Sequence, residues 1–199
     1  MIPTTIDNTT KLVDSIILCA GELFKKYGYK KATVDEIAGE LRISKRTLYA
    51  LFSSKEDILR EVAWRDTMNI MQVFTETVPA GISSDKALLS LCRFLFSDRI
   101  KRGIEGHFRG LYSTDADICA AYRAALRRVV SIIYEDGVKH GLFKPVDPVF
   151  AAEVVTVMIT VANSHFHRGE KPLAVFNTTL SMIADAVAFK NRIAFEAMG

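Results

Sequence analysis

Residues 33–59 read TVDEIAGELRISKRTLYALFSSKEDIL, and the segment Ser44–Phe52 inside that run, SKRTLYALF, decides how the chain is organised. Thr33-Val-Asp-Glu36 has the pattern of a capping box, in which the Thr and Glu side chains each satisfy a free backbone N–H at a helix start. The apolar stripe Val34, Ile37, Ala38 and Leu41 follows at helical spacing. After a break at Leu41 to Ile43, Ser44 is placed to cap a second short helix. Ser53-Ser-Lys-Glu56 then opens a long helix running towards Val78. Lys45 and Arg46 fall in the first turn of the middle helix, where the macrodipole is already positive. At an exposed site such a placement costs about 0.3–1 kcal/mol per cation. The preceding helix starts with Asp35 and Glu36 and obeys the dipole rule, so two neighbouring helix starts differ in sign.

At 100° per residue, the angle set by 3.6 residues per turn, Leu48, Leu51 and Phe52 gather on one side of the middle helix. Arg46, Tyr49 and Ala50 point away from them, with Lys45 and Thr47 on the flanks. A short helix anchored on one face and basic on the other suits the major groove. There Arg or Lys reaches guanine acceptors or phosphates, Tyr donates to a phosphate oxygen, and Ala permits close approach. Between Lys25 and Lys55 there are eight basic residues (Lys25, Lys26, Lys30, Lys31, Arg42, Lys45, Arg46, Lys55) against three acids. This local +5 lies inside a chain of net +3, so the remainder sums to −2. A solvated basic surface is the bland alternative; the pair of short helices favours nucleic acid.

Upstream, Ile16, Ile17, Ala20, Leu23, Phe24 and Tyr27 make one buried face of a helix that Gly28 is placed to end, with Lys25 and Lys26 in its last turn. Beyond Pro79-Ala-Gly81, helices are predicted near 84–101, 104–112, 115–139, 148–168 and 172–190. No strand alternation, internal repeat or low-complexity segment interrupts them. The predicted class is all-α, a compact three-helix head joined to a larger helical body. Composition is that of an ordinary soluble globular chain, 49% hydrophobic and 25% charged. Cys19, Cys92 and Cys119 are too scattered for a disulfide framework or a zinc site and read as small hydrophobes in a reducing compartment. Met1 to Lys11 does not have the make-up of a signal peptide. The apolar run Val154 to Ala162 is too short to span a bilayer. No membrane association and a cytoplasmic location are the expectations.

The run Ile17–Leu59 resembles the DNA-binding head of the tetracycline-repressor (TetR) family. The resemblance is carried by Leu23-Phe24, Gly28, Thr33, Ile37-Ala38, Ser44, Thr47-Leu48-Tyr49, Phe52 and Ser54-Lys55-Glu56. It implies a helix-turn-helix head within residues 1–54, ordered from about 10, and a helical effector-binding and dimerisation domain over 55–199. It also implies a ligand-responsive regulator, in the first instance a repressor, that binds a palindromic double-stranded operator as a homodimer. By the same resemblance Thr33, Lys45, Thr47, Tyr49 and Lys55 touch DNA; Ser44 as cap and Arg42 and Arg46 as cations join them. Where the family usually has Gly in the turn, this chain has Arg42. A positive φ there would cost a side chain on the order of 1 kcal/mol, and Arg42 would offset it by contacting phosphate if the turn keeps that shape.

The body carries no nucleophile elbow, zinc-protease motif, Walker loop or dinucleotide fingerprint. His165 and His167 lie two apart, which points them in different directions on a helix. The reading is therefore of a protein that is not an enzyme and has neither metal nor cofactor. Val154, Val155, Val157, Met158, Ile159, Val161 and Ala162 surround one helix axis, which predicts burial on every side, in the core or at a dimer seam. The resemblance places homodimerisation on the helices near 148–168 and 172–190, which would set two recognition helices one DNA turn apart. It also implies an apolar small-molecule pocket, for which Phe94, His107, Phe108, Tyr112, Tyr122 and Met158 are candidates; the same aromatics serve equally as core. Arg123 and Arg127 would attract an acidic effector or form a solvated helix face. Two rival readings stay open: a helical ligand-binding or scaffold protein whose head no longer reads DNA, and an enzyme on a helical scaffold.

Overall fold

The computed structural model describes residues 4–96, 115–166, 178–179 and 181–183, and every regular element among them is helical. The helices are α1 (Thr4–Tyr27), α2 (Val34–Glu40), α3 (Lys45–Leu51), α4 (Lys55–Thr77), α5 (Ser84–Phe96), α6 (Ala116–Lys139) and α7 (Pro148–Phe166). The helix predicted at 104–112 lies outside the described residues. So do the end of the one predicted at 84–101 and nearly all of the one predicted at 172–190, where Thr178, Thr179 and residues 181–183 are helical.

Side-chain caps account for the starts. Thr33 Oγ1 accepts the Glu36 N–H at 3.2 Å while Glu36 accepts the Thr33 N–H at 2.7 Å, completing the capping box. Ser44, Ser54 and Asp115 accept from the first turns of α3, α4 and α6 in the same way. The ends of α1, α2 and α6 are set by left-handed residues. Gly28 (φ 84) follows α1 and folds Tyr29 back so that its ring meets Phe24 edge-on at 5.4 Å. Tyr27, placed on the buried face by periodicity, is exposed instead, with the Lys26 ammonium 4.8 Å from its ring centroid. Tyr29 has taken the place against Phe24 that the stripe assigned to its neighbour.

After α2 the Arg42 N–H donates to the Gly39 carbonyl at 3.1 Å and the Ile43 N–H to Ala38 at 2.9 Å, a Schellman turn with Arg42 at φ 54. After α6 the same two bonds recur around Gly141 at φ 67: Gly141 donates to Val138 and Leu142 to Gly137. One motif is thus built once on glycine and once on arginine. Arg42→Gly is expected to stabilise the chain by up to about 1 kcal/mol, the left-handed penalty outweighing the extra freedom of an unfolded glycine. Urea unfolding checks this. A less stable variant would mean that the Arg42 side chain itself holds the turn.

Two hydrophobic clusters result. Ile16, Ile17, Ala20, Phe24, Ile37, Ala38, Leu48 and Phe52 form the first together with Ile58, Leu59 and Val62 of α4. Ala63, Ile70 and Phe74 of α4 join the second with Leu88, Leu91, Leu126, Val130, Tyr134, Phe143, Val155 and Ile159. The long helix α4 therefore passes from one core to the other between Val62 and Ala63, and Ile118 and Ala121 of α6 pack against both. Cys92 is fully buried, and burial pushes its thiol pKa up to about 12. It is an inert hydrophobe.

Within one chain the apolar helix α7 is not enclosed on every side, as a helix of the core would be. Ala151, Ala152, Val155 and Ile159 are buried, but Phe150 is 62% and Val161 52% exposed, with Val157 on the same side. Among the described residues, neighbouring helices cover one face of α7.

Candidate nucleic-acid interface

The recognition candidate α3 is held by few contacts. Leu48 is its one fully buried side chain, helped by the capping Phe52 and by half-buried Leu51. Its N-terminus is fixed by Ser44, whose Oγ accepts the Thr47 N–H at 3.0 Å and lies 2.8 Å from Thr47 Oγ1. Both hydroxyls sit within the cap, on the rim of the exposed face. Lys45, Arg46, Tyr49 and Ala50 are solvent-exposed, Tyr49 by half its surface. The wheel's two faces, Leu48 with Phe52 inward and Arg46 with Tyr49 outward, are those of the folded helix.

Other site candidates are more engaged than their residue types imply. Lys45 Nζ lies 2.6 Å from Asp35 Oδ1, an exposed pair linking α3 to the start of α2; such pairs contribute about 0–1 kcal/mol. Thr33 is exposed but occupied by the capping box, which holds the Glu36 carboxyl below its usual pKa by the Thr33 backbone and hydroxyl hydrogen bonds. Arg42 is exposed at the turn. Lys55, assigned to phosphate contact as a cation at a helix start, is partly buried. Its ammonium donates to the Tyr29 carbonyl at 2.8 Å and the Ala32 carbonyl at 3.1 Å and lies 4.3 Å from the Tyr29 ring centroid. Two of its three donors thus close the turn between α1 and α2, a role that residue type and position did not reveal.

In the body, Tyr122 and Phe94 are buried and Met158 is half-buried against the same cluster, with Phe94 tilted on Phe74 at 5.4 Å. His107, Phe108 and Tyr112 lie outside the described residues. Arg127 is paired with Glu153 of α7 at 2.6 Å, and Arg123 is exposed. Sequence reasoning missed Asp66, a buried carboxylate that accepts the Tyr122 hydroxyl. A signal existed, because Asp66 stands in the apolar row Val62, Asp66, Ile70 at i, i+4 and i+8. Thr156, fully buried on α7, has no hydrogen-bond partner for its hydroxyl among the described residues.

The two short capped helices, the anchored basic α3 and the long α4 behind them coincide with residues 16–62, which match the family described as bacterial regulatory proteins, tetR family. The chain carries a tetR-family head. The chain is 26% identical over 164 residues, 79% of its length and 85% of the relative's, to YhgD of Bacillus subtilis (strain 168), named an uncharacterized HTH-type transcriptional regulator. It is 25% identical over 123 residues, 60% of its length and 56% of the relative's, to the HTH-type transcriptional activator FasR of Mycolicibacterium smegmatis. The FadR repressor of Thermus thermophilus, solved with lauroyl-CoA, shares the fold at a TM-score of 0.59 and 17% identity, over 87% of this chain and 94% of that one. The matched family and both relatives are named as regulators. No helix among the described residues is long and apolar enough to cross a membrane.

Proposed function

We propose that this chain is a TetR-family regulator that binds a palindromic operator as a homodimer, represses transcription there, and is released by a small molecule taken up in the body. The observation that carries the reading is the exposed Arg46–Tyr49–Ala50 face of α3 above a buried Leu48. Arg42, Lys45, Arg46 and Tyr49 are the assigned base and phosphate contacts. Thr33, Ser44 and Thr47 set the rim, and Lys55 supports the turn with one donor left for phosphate. The head is assigned to residues 1–54 and the sensing and pairing body to 55–199, with the first turns of α4 packed on the head. The exposed apolar side of α7, Phe150, Val157 and Val161, supports dimerisation through helices 148–168 and 172–190, since a patch of that kind calls for a partner. Phe94, Tyr122 and Met158, with His107, Phe108 and Tyr112, are assigned to the effector site, and the Thr156 hydroxyl adds a polar group to it. The protein works in the cytoplasm.

Selection of bound sequences from random duplex DNA tests the reading: a palindrome enriched by the full-length chain supports it, and no enrichment overturns it. Transcription from a promoter carrying the enriched site separates repression from activation. Tyr49→Ala is expected to keep the helical fold and weaken binding to that duplex by roughly 1–3 kcal/mol. Undiminished affinity, read by fluorescence anisotropy, would remove Tyr49 from the interface.

A further inference from the structure

Trp64, Arg65 and Asp66 are consecutive on α4 and lie where that helix leaves the head's core, which ends at Val62, and enters the body's, which begins at Ala63. The three side chains reach different elements. The Trp64 ring takes the Arg128 guanidinium of α6 at 4.0 Å from its centroid. Arg65 pairs with Asp14 of α1 at 2.5 Å and with Glu61 at 3.6 Å. The Asp66 carboxylate accepts the hydroxyl of Tyr122, also on α6, with Asp66 9% and Tyr122 4% exposed. One turn of α4 is thereby tied to the head on one side and to the body on the other.

A buried carboxylate is unfavourable unless hydrogen-bonded, and an apolar pair of the same volume would serve the core as well or better. What the polar pair adds is direction. Apolar ridges tolerate sliding of one helix on another, whereas an O–H donor and its acceptor hold one register and angle. Burial and the neighbouring Asp66 charge hold the Tyr122 phenol well above its usual pKa, so it stays a donor.

We propose that Asp66 and Tyr122 are positioning residues whose hydrogen bond sets the α4–α6 joint through which the state of the body fixes the orientation of the DNA-reading head. The inference rests on the DNA-binding reading above. It assigns the coupling to a defined pair and makes Trp64, the chain's single tryptophan, a reporter placed at the joint.

The test uses the full-length chain, the duplex enriched by the wild-type protein and a scrambled duplex of equal length. Tyr122→Phe keeps the ring and removes only the hydroxyl, and Asp66→Leu keeps roughly the volume and removes the acceptor. Each variant that still melts cooperatively is expected to lose about five-fold or more in the ratio of specific to scrambled affinity, with no further loss in the double variant. Trp64 emission is expected to change when wild type takes the enriched duplex, and to change less in Tyr122→Phe. A ratio within about two-fold of wild type in Tyr122→Phe, or additive losses in the double variant, overturns the proposal. So does wild-type Trp64 emission that is indifferent to the enriched duplex. Failure of wild type to enrich any duplex overturns the DNA-binding reading itself and is visible before any variant is compared.

Discussion

Leu48→Ala is expected to destabilise the head by about 2–5 kcal/mol and to remove sequence-specific DNA binding although Leu48 touches no DNA. Leu48 is completely buried, and it is the one core side chain that the seven-residue α3 itself contributes. A helix this short has no independent stability, because nucleation consumes most of what its few hydrogen bonds return. Its caps, Ser44 at the start and the Phe52 N–H on the Leu48 carbonyl at 3.0 Å, depend on the same anchor staying in place. Truncation leaves a cavity beneath the residues that face outward, so Arg46 and Tyr49 lose their fixed geometry. Circular dichroism should show earlier melting, with the α5–α7 body retained, and anisotropy should show loss of binding to the enriched duplex. A variant with wild-type melting and affinity would mean that α3 is held by something other than Leu48.

Gly137→Ala should lower stability by about 3 kcal/mol, or roughly 6–12 °C in Tm for a chain of this size. A Cβ at Gly137 would lie 2.2 Å from Cδ2 and 2.3 Å from Cε2 of Phe143. That ring cannot step aside easily: Phe143 is 2% exposed and stacked on Tyr134 at 5.0 Å, and the Tyr134 hydroxyl donates to the Lys144 carbonyl at 2.9 Å. Gly137 also accepts from the Leu142 N–H in the Schellman turn that brings Phe143 back over the helix. In an unpacked helix the same substitution would stabilise by about 1 kcal/mol, so the two effects have opposite signs. A raised Tm would show that Phe143 does not rest on Gly137. Because the change lies far from α3, affinity for the enriched duplex below the melting range should be little altered.

These two sites differ in how far the chain announces them. Leu48 is marked by the spacing of Leu48, Leu51 and Phe52 and by the capping Ser44, all within a single short helix. Gly137 is one of eleven glycines and sits inside a helix with no local reason to be glycine. Its reason is an aromatic ring delivered by the turn at Gly141. The interface residues divide in the same way. Arg46 and Tyr49 are exposed on the face that helical spacing gives them, whereas Lys55, read as a phosphate ligand, turns two of its donors to the carbonyls of Tyr29 and Ala32. Lys45 keeps its position at the helix start but shares its charge with Asp35.

The sequence by itself determined the all-α class, the helix starts at Thr33, Ser44 and Ser54, the stop at Gly28, and which side of α3 is anchored. Each of these is settled within about one helical turn, where residue spacing translates directly into geometry. Only the tertiary structure decided that Lys55 closes a turn 23 and 26 positions away, that Asp66 meets Tyr122 across 56 positions, and that Phe150, Val157 and Val161 of α7 are exposed. Periodicity states which face of a helix is buried but not which helix covers it. A hydrogen bond depends on tenths of an ångström that only the packed backbones supply.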